Sequence, residues 1–392
     1  MHLHFSILVV ACAALSPHSG SIALRPDSPT TYSISPLGRP NTSIKQVWSK
    51  DEPEVSSIEA KGEYILLRKG HANHIASVLD SKTGKQLFEV TSLEQSRLQL
   101  SPGLLLTSRS HNQRAARLFQ GWKLSSGDLL WSFVASATAS LGGTLGDKFY
   151  FADEEAIWCA DIPSGKIVDS RPVERYGGRR IVSVTPGRIY AGPVGHEVFG
   201  LSPGDLSSGW RHYCDSYPHI VTEDGFLGTG FFFGAVAVGK DGKTKWLGLH
   251  LPGPRVQFAR EAPAVVDGVF VAGGQIVVGP EIHILGPYLF GMDAETGKRL
   301  WKRPMAPSNP VGFQDRVAVL AGHRKMSTGH WDIYSGRLRG LEVRIEILNA
   351  RNGKLLWRSR PIPQAERNKS PLLAASSDTL ILWTGTKLIA YR

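Results

Sequence analysis

From residue 44 onward the chain is a succession of short apolar runs separated by clusters of Gly, Asp, Asn, Ser and Thr, with no helical period of convincing length. The run Tyr288-Leu289-Phe290-Gly291-Met292 meets Asp293-Ala294-Glu295-Thr296-Gly297-Lys298, and a second run, Arg299-Leu300-Trp301, follows. An Asp at the start of such a turn can bond the backbone two residues on, and a Gly supplies a positive φ, so the unit predicts a β-hairpin. Short strands are predicted ahead of such hairpins at Glu63–Leu67, Lys148–Phe151, Gly268–Ala272 and Arg316–Leu320. Turn residues such as Val266-Asp267-Gly268 precede them, and a still earlier strand, such as Ala264-Val265, brings each unit to four strands.

The hairpin recurs. Leu79–Phe88 (LDSKTGKQLF) returns as Met292–Trp301 (MDAETGKRLW) and as Leu348–Trp357 (LNARNGKLLW). Shorter copies are Leu124–Trp131 and Lys240–Trp246, and worn ones are Asp161–Lys166 and Leu201–Trp210. Turn glycines at 84, 127, 165, 204, 242, 297 and 353 are spaced mostly by about 40 residues and twice by about 55. Four short antiparallel strands repeated at this period are the blades of a β-propeller. Thr379–Trp383 and Lys387–Tyr391 read as a last blade without an outer strand, and Ile44–Trp48 reads as an outer strand without a blade. Joining them closes the ring, removes open sheet edges and makes eight blades. The expected fold class is therefore all-β, an eight-bladed propeller of four-stranded antiparallel blades closed by an N-terminal strand. Trp48, Trp131, Trp210, Trp246, Trp301 and Trp357 share one slot on the outer strand and are expected to dock between blades, where a large ring buries much apolar area.

The motif Asp-x-x-Thr-Gly-Lys-x-x-Trp, fullest at Asp293–Trp301, resembles the tryptophan-docking repeat of the pyrroloquinoline-quinone (PQQ)-like propellers, over residues 44–392. That family holds quinoprotein dehydrogenases and also non-catalytic members, among them the eight-bladed outer-membrane β-barrel assembly lipoprotein. The resemblance to the second group implies a non-enzymatic scaffold or binding module with a protein partner at the cell envelope and no cofactor. The dehydrogenase group would imply a vicinal cysteine pair and a Ca²⁺ held by carboxylates and amides. Here no two cysteines are adjacent, no run matches such ligands, and no C-x-x-C-H haem site occurs. A quinoprotein-type oxidoreductase and a propeller binding carbohydrate or another small ligand stand as the alternatives.

Composition adds direction. The net charge of +11 favours anionic partners. The apolar run Phe5–Leu15 is too short for a membrane span and fits the core of an export signal, with Ser21-Ile22-Ala23 as a cleavage site. Val9-Val10-Ala11-Cys12 also resembles a lipobox that would place a lipid anchor on Cys12. The expected organisation is a signal peptide at 1–23, a linker at 24–43 and the propeller at 44–392 of a monomeric, periplasmic or extracellular protein with no nucleic-acid partner. Cys159 and Cys214 could form a disulfide in an oxidising compartment or remain two separate thiols. His71 and His74 fit a strand-connecting loop better than a metal site, and Gly142-Gly143 and Gly273-Gly274 fit bends better than phosphate cradles. No catalytic, cofactor or metal residues are expected.

The two long spacings are the departures that suggest function. Their extra residues fall between the second and third strands of two neighbouring blades, at Gln275–Pro287 and His323–Gly340, and both connections leave the ring on one face. Long loops in a compact repeat are often functional. The second holds His323, Arg324, Lys325, His330, Trp331, Tyr334, Arg337 and Arg339, a basic and aromatic set suited to an anionic partner, peptide or sugar.

Overall fold

The structure, a computed structural model, describes residues 44–392 except 71–74, 92–96, 112–115, 173–179, 193–196, 214–215, 223, 231–233, 249–254, 259–262, 279–282, 308–309, 324–329, 332–337, 340–341, 363–370 and 377. Eight antiparallel sheets follow one another along the chain, each a meander from an inner to an outer strand. Blades one to seven span 55–91, 97–136, 140–172, 180–213, 216–248, 255–304 and 306–358. Blade eight takes three strands from 372–391 and its outer strand, Gln46–Asp51, from the N-terminal end of the ring. The closure is also tied by reciprocal bonds between Lys45 and Arg392, at 2.8 and 2.9 Å. In the second and third strands, alternate apolar residues serve opposite seams. Leu105 packs towards blade one, whereas Leu104 and Leu106 pack towards blade three. Eight repeats of this alternation spread the core around the ring instead of gathering it in one centre.

The seams share a mechanism. In every blade a register shift lies immediately before one outer-strand position, at residues 48, 88, 131, 169, 210, 246, 301 and 357. A bulge re-aims the side chain that follows it, here towards the next blade. Trp48 lies on Gly84 of blade one, Phe88 on Gly127, Trp131 on Gly165, Trp210 on Gly242, Trp246 on Gly297 and Trp301 on Gly353. A Cβ on any of these glycines would come within 2.6–2.8 Å of the aromatic side chain. Three of the rings also lie across a glycine of their own third strand: Trp131 on Gly121, Trp210 on Gly200 and Trp301 on Gly291. Four indoles then donate to the carbonyl just after the turn start: Trp48 to Ser81 (3.0 Å), Trp210 to Lys240 (2.5 Å), Trp246 to Ala294 (3.0 Å) and Trp301 to Ala350 (2.7 Å). Each buried aromatic removes about 150–250 Å² from water, a gross gain of about 4–6 kcal/mol at about 25 cal/mol per Å². Trp357 has no such turn to meet, because blade eight borrows its outer strand. It packs instead beside Tyr391, ring centroids 6.1 Å apart.

The turns hold the glycines ready. Asp80 Oδ1 accepts from both Thr83 N and Thr83 Oγ1 at 2.7 Å, and Asp293 does the same with Thr296 at 2.8 Å.

The seam between blades three and four departs from the rule at three positions together. Asp169 stands in the tryptophan slot, Cys159 opposite it where three other blades have Gly, and the next blade's turn glycine is replaced. The sequence pattern places that turn glycine at Gly204, but the residue of positive φ is Leu206 (φ 54°), four residues before Trp210 as the other turn glycines are from their own outer-strand position. With no indole to admit, the position carries a side chain. Leu206 is buried against Tyr150, Cys159 and Ile189 and fills the volume that a tryptophan occupies elsewhere. Tyr150 Oη donates to Pro203 O at 2.8 Å and Arg171 to Leu206 O across the same seam.

Two experiments test this packing rule. Gly297 and Gly268 share φ +71°, but a Cβ meets the Trp246 ring at Gly297 and nothing within 4 Å at Gly268. Both alanine variants should lose about 1–2 kcal/mol to the left-handed backbone; Gly297→Ala should lose about 1–3 kcal/mol more through overpacking, read as the difference in urea midpoints. Leu206→Gly relieves its backbone yet vacates a buried leucine site, so it should lower stability by about 1–3 kcal/mol net, where strain relief alone would raise it.

Candidate functional site: the extended rim of blades six and seven

Blade six does not carry a loop at 275–287. Its second and third strands simply continue, as Val269–Val278 and His283–Asp293, ten and eleven residues long. The extension pairs Ile276 with Leu285, Val277 with Ile284 and Val278 with His283, above a register shift between Gly274 and Ile276. A further strand, Arg255–Phe258, pairs with Gly274–Val277, while the blade's own inner strand is the separate Ala264–Val266. The sequence carried the signal: Ile276-Val277-Val278 and Ile282-His283-Ile284-Leu285 are β-branched-rich runs around Gly279-Pro280. Their position outside the repeat period hid it.

In blade seven the second and third strands run to His323 opposite Glu342. Beyond them lies a short two-stranded hairpin in which His330 pairs with Arg339 and Trp331 with Leu338. Of the eight rim residues expected from sequence, the backbones of His323, His330, Trp331 and Arg339 therefore lie in paired strands; Arg324, Lys325, Tyr334 and Arg337 lie outside the described residues. His71, His74 and Cys214 also lie outside them. In both blades the addition sits between the second and third strands, opposite the docking turns.

Sequence reasoning overlooked the charges set into the seams. On the innermost strand of blade one, Glu59 accepts from Leu100 N at 3.3 Å and Lys61 donates to Leu100 O at 3.4 Å, and from the second strand Arg68 donates to Leu98 O at 2.7 Å. These side chains satisfy the inner edge of blade two, whose first strand pairs on one side only. Burial pushes the Glu59 carboxyl up, opposed by the Leu100 amide, Arg68 and Lys61. Glu346, fully buried, lies 3.4 Å from Arg303 and 2.6 Å from Arg358 and joins the outer strands of blades six and seven. At the ring closure Glu52 is held by Lys50 at 2.8 Å and Lys69 at 2.5 Å, and its carbonyl accepts from Trp383 Nε1 at 2.8 Å. Each of these carboxylates is explained by a seam.

The residues also bear on a quinone or a metal. Cys159 is a free, buried thiol whose pKa is raised by burial, and it packs with Tyr150 and Leu206 between blades three and four. It belongs to a seam and has no neighbouring cysteine to form a quinone platform. Among the described residues no three His, Cys, Asp or Glu side chains converge as a metal ion would need.

The fold is that of an eight-bladed β-propeller. BamB from Moraxella catarrhalis superposes with TM-score 0.58 at 12% identity, over 89% of this chain and 100% of that one. The computationally designed Ika8 protein superposes with TM-score 0.60 at 11% identity, over 88% and 98%. A europium-containing methanol dehydrogenase follows with TM-score 0.51 at 11% identity, over 89% and 93%. At such identities the likeness defines architecture alone. No protein-family model and no curated protein matches the sequence.

The closing salt-bridge cluster has a pH signature. Burial pushes the Glu52 carboxyl up, but hydrogen bonds and charge from Lys50 and Lys69 outweigh this and hold it below its ordinary 4.5. A depressed carboxylate stabilises the fold above its unfolded value, and this contribution is lost as pH falls through the folded one. Glu52→Gln should therefore lower stability at pH 7, by between the ~1 kcal/mol of an exposed pair and the about 3–5 kcal/mol of a buried one. It should also flatten the decline of the melting temperature below pH 4.5 relative to wild type.

Proposed function

We propose that this chain is a non-enzymatic interaction scaffold, exported to the periplasm or beyond the cell, that engages a protein partner through the rim of blades six and seven. The observation that carries the reading is the departure of these two neighbouring blades from the repeat in the same place. Both extend the connection between the second and third strands, and both extensions contain strand pairing. Ordered backbone in a surface extension lowers the entropy lost on binding. The blade-seven extension is rich in cations and aromatics, and the chain carries a net charge of +11, so an acidic partner surface is favoured. The apolar run at Phe5–Leu15 supports export, with Cys12 as a lipid anchor in one form of the proposal.

Excision of 276–285, bridged by an Asn-Gly turn, and the substitutions Trp331→Ala and Arg337→Glu test the assignment. In envelope extracts, partners cross-linked to wild type should be lost from all three variants while the thermal midpoint stays that of the wild-type ring. Full retention of the partner set by the excised variant would overturn it.

A further inference from the structure

The ring closure removes the gaps between blades but leaves each blade an outer strand paired on one side only. Proteins blunt such edges with charge, proline or brevity. Seven of the eight outer strands do so. Gln46–Asp51 carries Lys50 and Asp51, Gln86–Thr91 carries Glu89, Ile167–Pro172 carries Asp169, Arg171 and a terminal Pro, and Ser208–Tyr213 carries Arg211. Thr244–Gly248 carries Lys245, Arg299–Pro304 carries two Arg, a Lys and a Pro, and Leu355–Arg358 ends in Arg. The exception is the outer strand of blade two, Leu129–Ser136, with the sequence LLWSFVAS. It is the longest of the eight, at eight residues, and has no charged residue.

The same strand exposes three large apolar side chains. Leu129, Leu130 and Val134 are 46%, 44% and 55% exposed, and Ile167 and Val168 of the adjacent outer strand are 51% and 54% exposed. These five account for more than half of the nine exposed large hydrophobic residues among those described. Leu130 sits in the bulge, so the regular ladder runs from Trp131 to Ser136. Trp131 and Phe133 face the core of blades two and three, which leaves Ser132, Val134 and Ser136 on the other side.

We infer that blade two is a self-association edge, on which a second copy of this chain adds the same strand antiparallel across a two-fold axis at Val134, so that Ser132–Ser136 of the two copies pair. Charge selects the occupant. Two copies each bearing +11 repel, and this is the one outer strand where they can meet with no charged side chain opposed. The strand is also self-complementary, as a two-fold contact demands. With Val134 opposite Val134 of the second copy, Ser132 falls opposite Ser136, so apolar meets apolar and hydroxyl meets hydroxyl in both halves. Strand pairing alone lies at the small end of specific interfaces, so the dimer is reversible and concentration-dependent. It uses blade two and leaves the rim of blades six and seven free, and it replaces the monomer expected from a closed ring.

Sedimentation velocity on the purified full chain over the micromolar range tests the inference. Wild type should shift from monomer towards dimer mass as concentration rises. Val134→Lys, which opposes two ammonium groups, should remain monomeric with unchanged circular dichroism and melting temperature; Ser132→Lys serves the same purpose if that variant fails to fold. Val134→Cys should form a disulfide-linked dimer under mild oxidation, whereas wild type and Leu87→Cys, on the outer strand of blade one, should not. A wild type that is monomeric throughout, a dimer that survives both lysine substitutions, or equal cross-linking at Leu87→Cys would each overturn the assignment.

Discussion

The ring depends on one contact, made at six of its eight seams: an aromatic side chain from the outer strand of one blade laid on a turn of the next blade where no Cβ exists. The contact works from both sides. A bulge immediately before the aromatic turns it out of its own sheet, and an Asx turn presents the receiving glycine at positive φ. At four seams the indole N–H also donates to the carbonyl just after the turn start. Adding the N-terminal strand to blade eight creates the seam that the regular blades share. Trp48 on Gly84 repeats what Trp301 does on Gly353.

The exceptions show which physical quantity the seam conserves. Between blades three and four the ring is absent, yet the volume is filled, because Leu206 supplies from the turn what Asp169 no longer supplies from the strand. Leucine at positive φ is costly, and the buried contact with Tyr150 and Cys159 offsets it. At the last blade there is no turn to dock on, and Trp357 finds Tyr391. Packed volume is conserved, and residue identity follows from it. The seam carboxylates obey the same logic. Glu52, Glu59 and Glu346 each sit where two blades or two strand edges would otherwise leave polar backbone or cations without partners.

Docking turns occupy one face of the ring, so the connections on the other face are free of the packing rule. Blades six and seven use that freedom, building strands outward where the remaining blades turn back. The similarity to BamB (TM-score 0.58) and to a europium-containing methanol dehydrogenase (TM-score 0.51) describes the ring beneath. Function therefore has to be sought where this chain leaves the shared pattern, on that rim and along the uncharged edge of blade two.

Blade number, strand order and ring closure were legible in the sequence, because each depends on features local to one hairpin: alternation, a turn glycine and a tryptophan four residues later. Periodicity then multiplied a weak local signal. Three things were decided only in three dimensions. The local composition of the worn fourth turn points to Gly204, and only the missing indole across the seam explains Leu206 two residues on. The blade-six insertion falls outside the repeat period and reads as a loop, because its strand extension is completed by the partner Arg255–Phe258, distant in sequence. The charges of Glu52, Glu59 and Glu346 look like solvated positions in the chain and become seam elements once neighbouring blades surround them. A sequence shows what each segment can do alone; which side chains share a cavity depends on residues brought together by closure of the ring.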